Sequence, residues 1–232
     1  MKKYFALTQE GNVLDIDIYG DITSYEWYES DTSAYTLKRK IESMDVDTIN
    51  VYINSYGGEV AEGLAIYNVL KRHKAKVHTF VDGFACSAAS VIFMAGDVRT
   101  MPTTSLLMIH NAWTYACGNS DELRKQADDL DTINQATMNA YLESVNIPEE
   151  ELKTLLDAET WINAQDALEK GFATAIVSDD AGSGINQSAR KAVYNKLSEN
   201  KATVEKPKEE KTDPSEVLGS FLMAISADKG GK

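Results

Sequence analysis

Short β-rich runs alternate with amphipathic helical runs along most of this chain, and that alternation leaves few folds open. Thr48-Ile49-Asn50-Val51-Tyr52-Ile53 reads as a strand, and residues 59–71 carry Val60, Leu64, Tyr67 and Leu70 on one helical stripe. A strand follows over 76–81, an apolar helix over 87–94 and another strand over 105–110. Upstream, 13–19 alternates as a strand, and Leu37, Ile41 and Met44 take helical spacing over 36–44. Downstream, 121–144 predicts a long helix with Leu123, Ala127, Leu130, Ile133 or Asn134, and Tyr141 on one face. Ser120 is its candidate N-cap, with Asp121 and Glu122 in the first turn. A short helix over 164–170 leads into a last strand over 173–177. Strands alternating with helices imply an α/β domain with parallel pairing.

Composition changes after Val177. The expected organisation is therefore a folded domain over 1–177 and a largely disordered tail over 178–232. Residues 200–214 are almost entirely Lys, Glu, Thr and Pro, too polar to order by burial. A short apolar helix is expected near 215–227, from Val217, Leu218, Phe221, Leu222 and Ile225. The tail holds nine basic and nine acidic residues, so the first 177 residues carry the whole net charge of −13. An acidic core of this kind argues against a phosphate backbone as partner. The longest apolar run, 85–95, is too short for a bilayer, which takes ~20 residues, and no export signal is expected at the N-terminus. With only Cys86 and Cys117, reduced thiols in a cytoplasm are the expectation. No metal or cofactor is expected.

Three motifs punctuate the strands: Asn54-Ser55-Tyr56-Gly57-Gly58, Gly83-Phe84-Ala85-Cys86-Ser87-Ala88 and Met108-Ile109-His110. A serine at a strand-to-helix turn, a histidine at a strand end and a glycine turn are the parts of a serine acyl-transfer site. Of three histidines, His73 lies in a basic run, where solvation is expected, and His78 shares a strand face with Phe80. His110 ends an apolar strand, where α/β sheets present ligand groups. Ser87 is the candidate nucleophile, and Cys86 and Ser90 are its rivals. Cys86 must point away from any base that Ser87 faces, and Ser90 stands one helical turn further from Gly83. The backbone N–H groups of Ala88 and Gly58 are the candidate oxyanion donors.

Taken together with Gly63-Leu64-Ala65-Ile66-Tyr67 and Met101-Pro102, these motifs resemble the proteolytic subunit of the Clp protease, the ClpP family. The resemblance runs from about Ile16 to Val177. Residues 89–97 and Asp157-Ala158-Glu159-Thr160-Trp161 are similar to its phage-encoded branch, the head maturation or prohead proteases. It implies a ClpP/crotonase-type spiral of βαβ units, a Ser-His-Asp triad and assembly into homo-oligomeric rings. Carried over, the catalytic residues are Ser87, His110 and Asp157, with Glu159 as the alternative acid, and the oxyanion hole is Gly58 and Ala88. The implied partners are copies of itself and protein substrates, capsid, scaffold or portal proteins among them, in a bacterial cytoplasm or a procapsid. Tyr56 stands where the degradative enzymes carry proline, the N-terminal part is short, and the tail has no counterpart. These departures argue against partnership with an ATP-driven unfoldase. The other readings are a degradative ClpP-like subunit and, in another class, a crotonase-like acyl-CoA enzyme.

Overall fold

The computed structural model describes residues 5–25, 31–42 and 44–177. In chain order they form β1 (Phe5–Glu10), β2 (Val13–Ile18), α1 (Ala34–Glu42), β3 (Thr48–Ser55), α2 (Val60–Arg72), β4 (Lys76–Cys86), α3 (Ala88–Phe93), β5 (Val98–Pro102), β6 (Leu106–Ile109), α4 (Ser120–Leu142), α5 (Glu149–Asp157), β7 (Thr160–Asn163), α6 (Ala164–Glu169) and β8 (Ala175–Val177). One sheet runs β1-β2-β3-β4-β5-β8, and the β6–β7 pair joins it through β4. Pairing is parallel from β2 through β5 and β8, as the alternation of strand and helix implied. The β1–β2 hairpin and the β6–β7 pair are antiparallel, so the sheet is mixed.

Strict alternation sorts the strands into two faces. Leu14, Ile16, Ile18, Ile49, Val51, Ile53, Val77 and Val81 are buried in one cluster with Leu37, Ile41, Ile66, Leu70 and the whole of α3. Burying each large aliphatic side chain contributes about 1.5–3 kcal/mol. The opposite face carries Asp15, Asp17, Asn50, Tyr52, His78, Phe80 and Asp82, all half-buried, with Tyr52 and Phe80 stacked at 5.0 Å. Behind β5, the buried Arg99 guanidinium donates to the carbonyls of Gly96, Phe172 and Gly171. It ties the turn after α3 to the loop before β8.

The structure departs from the sequence expectations at several points. β4 does not stop at Val81 but continues through Gly83 to Cys86. α4 is capped by Asn119 rather than Ser120: the Asn119 side chain accepts from the N–H groups of Asp121 and Glu122, and Glu122 returns a bond to the Asn119 N–H. Only the C-terminal end of α4 enters the core, through Thr137, Met138, Ala140 and Tyr141. Its earlier turns are largely exposed, with Leu123 at 44% and Ile133 at 39%. Among the described residues no helix is long and apolar enough to cross a membrane. The expected tail, 178–232, with its apolar helix near 215–227, lies outside the described residues.

The half-buried face has a pH signature. Burial pushes the Asp17 carboxyl up to about 6, and repulsion from Asp82 and then Asp15 adds to it. A folded-state value above the unfolded one means that this group's stabilising contribution is intact below about pH 4 and is lost as pH rises through 6. Asp17→Asn is therefore expected to raise stability at pH 7 by about 1 kcal/mol, well below the full shift because the carboxylate is partly solvated. Urea unfolding at pH 4, 5.5 and 7 checks it: the parent should lose stability across that series relative to the variant.

Candidate active site

The length of β4 brings the site together. Its first half pairs with β5, and its last three residues, Phe84, Ala85 and Cys86, pair instead with Leu106, Leu107 and Met108 of β6. Two parallel strands in register end at the same edge, so Ser87 and His110 emerge side by side. The Ser87 Oγ lies 2.8 Å from His110 Nε2. Ser87 forms the turn between β4 and α3 with φ 54° and ψ −126°, a conformation that a non-glycine residue adopts only when its surroundings enforce it. A strained serine on a sharp strand-to-helix turn is the geometry that exposes a nucleophilic hydroxyl. The Ser87 N–H donates to the Met108 carbonyl at 2.9 Å, which fastens the turn to β6.

The rivals are occupied elsewhere. Cys86 is fully buried, and burial pushes its thiol up to about 11, so it holds little thiolate at neutral pH. Ser90 is 1% exposed and its hydroxyl is bonded to the Ser87 carbonyl and to Tyr141. His73 is not simply solvated: it caps α2 and its Nδ1 accepts from the Ala75 N–H at 3.0 Å. Burial and the neighbouring Lys74 lower its pKa. His78 stays on the Phe80 face, with a buried Nε2 that has no hydrogen-bond partner among the described residues.

Both glycines after β3 are required, for different reasons. A Cβ on Gly57, at φ +99°, would lie 2.6 Å from the Cys86 carbonyl and 2.7 Å from Ser87 Cβ. Gly58, at φ +148°, would drive a Cβ into the Ile22 backbone. Ile22 holds the glycine turn by donating to the Gly57 carbonyl at 3.0 Å and accepting from Glu59 N–H at 2.8 Å. The N–H groups of Gly58 and Ala88 have no acceptor among the described residues. Beside Ser87 and His110 opens a small, mostly apolar pocket walled by Val60, Ala88, Val91, Ala112, Thr137 and Tyr141. Asn134 Oδ1 accepts from the Ala112 N–H at 2.7 Å, so α4 fixes the chain just after His110.

Two acids stand near the histidine, and neither is bonded to it. Asp157, at the end of α5, accepts from Asn111 Nδ2 at 2.7 Å. Glu159 sits in the turn into β7 at φ 49°. The β6–β7 ladder ends at the Ile109–Thr160 pair, and His110 and Glu159 are the next residues of the two segments beyond it. Among the described residues, Ser87 and Glu159 are the two non-glycine positions with positive φ. The sequence reading missed Gly57, the Asn111 and Asn134 contacts and the Ser90–Tyr141 bond. Only the paired glycines signalled any of these.

A family model described as Clp protease matches residues 34–180. The chain belongs to the Clp protease family. The matched span contains the glycine turn, Ser87, His110 and both acids, and the mixed α/β sheet with flanking helices agrees with the ClpP fold. Among curated proteins, the chain is similar to the ATP-dependent Clp protease proteolytic subunit of Deinococcus radiodurans. The two are 33% identical over 131 residues, covering 56% of this chain and 64% of that relative. The match thus spans just under two thirds of the relative's length.

Proposed function

We propose that the protein is a serine endopeptidase in which Ser87 is the nucleophile and His110 the general base. The observation that carries this is the 2.8 Å contact between Ser87 Oγ and His110 Nε2 at a strained strand-to-helix turn. His110 Nε2 takes the hydroxyl proton as Ser87 Oγ bonds to the scissile carbonyl carbon. The carbonyl oxygen becomes an oxyanion within reach of the Gly58 and Ala88 N–H groups. The imidazolium then protonates the departing amine, and water repeats the sequence to release the acyl group. An acid from the turn between α5 and β7 holds the imidazole: Asp157 on the sequence resemblance, or Glu159 from its place just beyond the end of the β6–β7 ladder. The pocket's mostly apolar lining favours a small apolar substrate side chain beside the cleaved bond.

The family and the exposed turns of α4 support a homo-oligomeric ring as the working form. Sedimentation should show a species several times the 25.6 kDa chain, and a fully active monomer would refute the ring. The finer reading is processing of capsid or scaffold protein in a phage-infected bacterial cytoplasm. It rests on the similarity of residues 89–97 and 157–161 to the phage-encoded branch, with Tyr56 where the degradative enzymes carry proline. The similarity to the ATP-dependent Clp protease proteolytic subunit of Deinococcus radiodurans favours a second reading, a degradative subunit serving an ATP-dependent unfoldase. Cleavage of a capsid precursor without ATP supports the first; stimulation of protein degradation by an unfoldase and ATP supports the second. A crotonase-like enzyme would instead turn over an acyl-CoA and leave peptides intact.

A further inference from the structure

A short chain of hydrogen bonds runs from Tyr141 on α4 through Ser90 to the Ser87 carbonyl. The Ser87 carbonyl accepts twice from Ser90, from its N–H at 2.9 Å and from its Oγ at 2.6 Å. A carbonyl oxygen cannot donate, so the single hydroxyl hydrogen of Ser90 is committed to it. The 2.8 Å contact between Ser90 Oγ and the Tyr141 hydroxyl must then run from tyrosine to serine. Both residues are 1% exposed, and burial raises the Tyr141 phenol well above its ordinary value, which keeps the donating proton in place. Tyr141 comes from the last turns of α4, packs edge-on against Phe172 at 6.0 Å and forms part of the pocket wall.

We propose that Tyr141 and Ser90 are positioning residues that fix the Ser87 carbonyl and thereby aim Ser87 Oγ at His110 Nε2. This rests on Ser87 being the nucleophile. A serine three residues into a helix often bonds back to the chain for local reasons alone. That arrangement needs no tyrosine, and it would leave the two hydroxyls energetically independent. The relay requires them to act as a unit.

The test compares Ser90→Ala, Tyr141→Phe and the double variant with the parent in peptide hydrolysis and in fluorophosphonate labelling of Ser87. Tyr141→Phe keeps the pocket wall, so binding should be spared. Each single change should lower kcat and the labelling rate roughly tenfold with KM within about twofold, and the double variant should be no slower than the slower single. Should Ser90→Ala fold poorly, Tyr141→Phe alone decides by its kcat-against-KM split. Parent-like kcat and labelling rates would overturn the relay and leave the nucleophile standing. Losses that multiply in the double variant, or that fall on KM, would also overturn it. A parent not labelled at Ser87 would overturn the relay and the nucleophile together.

Discussion

Ser87→Ala and His110→Ala should each lower kcat by roughly 10³-fold or more, and the double variant should be no worse than either single. The two side chains make one hydrogen bond, 2.8 Å long, and the nucleophile is useless without its proton acceptor. Residual hydrolysis should survive because the Gly58 and Ala88 N–H groups and the apolar pocket remain. Fold and assembly should be preserved in Ser87→Ala, since one partly exposed hydroxyl is removed. Cys86→Ala should keep its activity, because that thiol is buried and protonated. Steady-state hydrolysis of a fluorogenic peptide with an apolar residue before the scissile bond measures all four variants. An inactive Cys86→Ala beside an active Ser87→Ala would make this a cysteine enzyme.

The second large effect falls on the orienting acid. Glu159→Gln is expected to lower kcat by about 10²-fold or more with KM little changed, because a neutral partner no longer stabilises the imidazolium. Asp157→Asn should cost less, since its carboxylate is engaged by Asn111 rather than by the ring. The pH profile of kcat/KM separates the roles: losing the true partner moves the acid limb of the profile, while losing a bystander leaves it in place. A heavier loss in Asp157→Asn, with a shifted profile, would return the role to Asp157. Two mild variants would mean that Ser87 and His110 work as a dyad.

The βαβ alternation made the parallel centre of the sheet legible, because β-rich runs and stripes such as Val60, Leu64, Tyr67 and Leu70 carry different periods. The nucleophile and base were legible for a local reason, since each ends a strand and needs only its own motif to be seen. The elements passed over were short or compositionally mixed. β5 contains Arg99 and Pro102, and its arginine is tolerated inside only because three carbonyls accept from it. β7 has four residues and gains strand character from its antiparallel partner β6. The orienting acid was hard to place for the same reason. Which of Asp157 and Glu159 serves His110 depends on how the turn into β7 is placed beside the end of β6, which local spacing does not encode. The Ser90–Tyr141 bond joins residues 51 positions apart, and no periodic pattern marks a tyrosine hydroxyl inside an apolar stripe.

The central claim is that the Ser87 hydroxyl is the attacking group. Mass-spectrometric mapping of the parent protein after reaction with a fluorophosphonate tests it most directly. The structure predicts one adduct per chain, on the peptide containing Ser87, with none in Ser87→Ala and slowed labelling in His110→Ala. An adduct on Ser90 or elsewhere, or labelling that persists in Ser87→Ala, would contradict it.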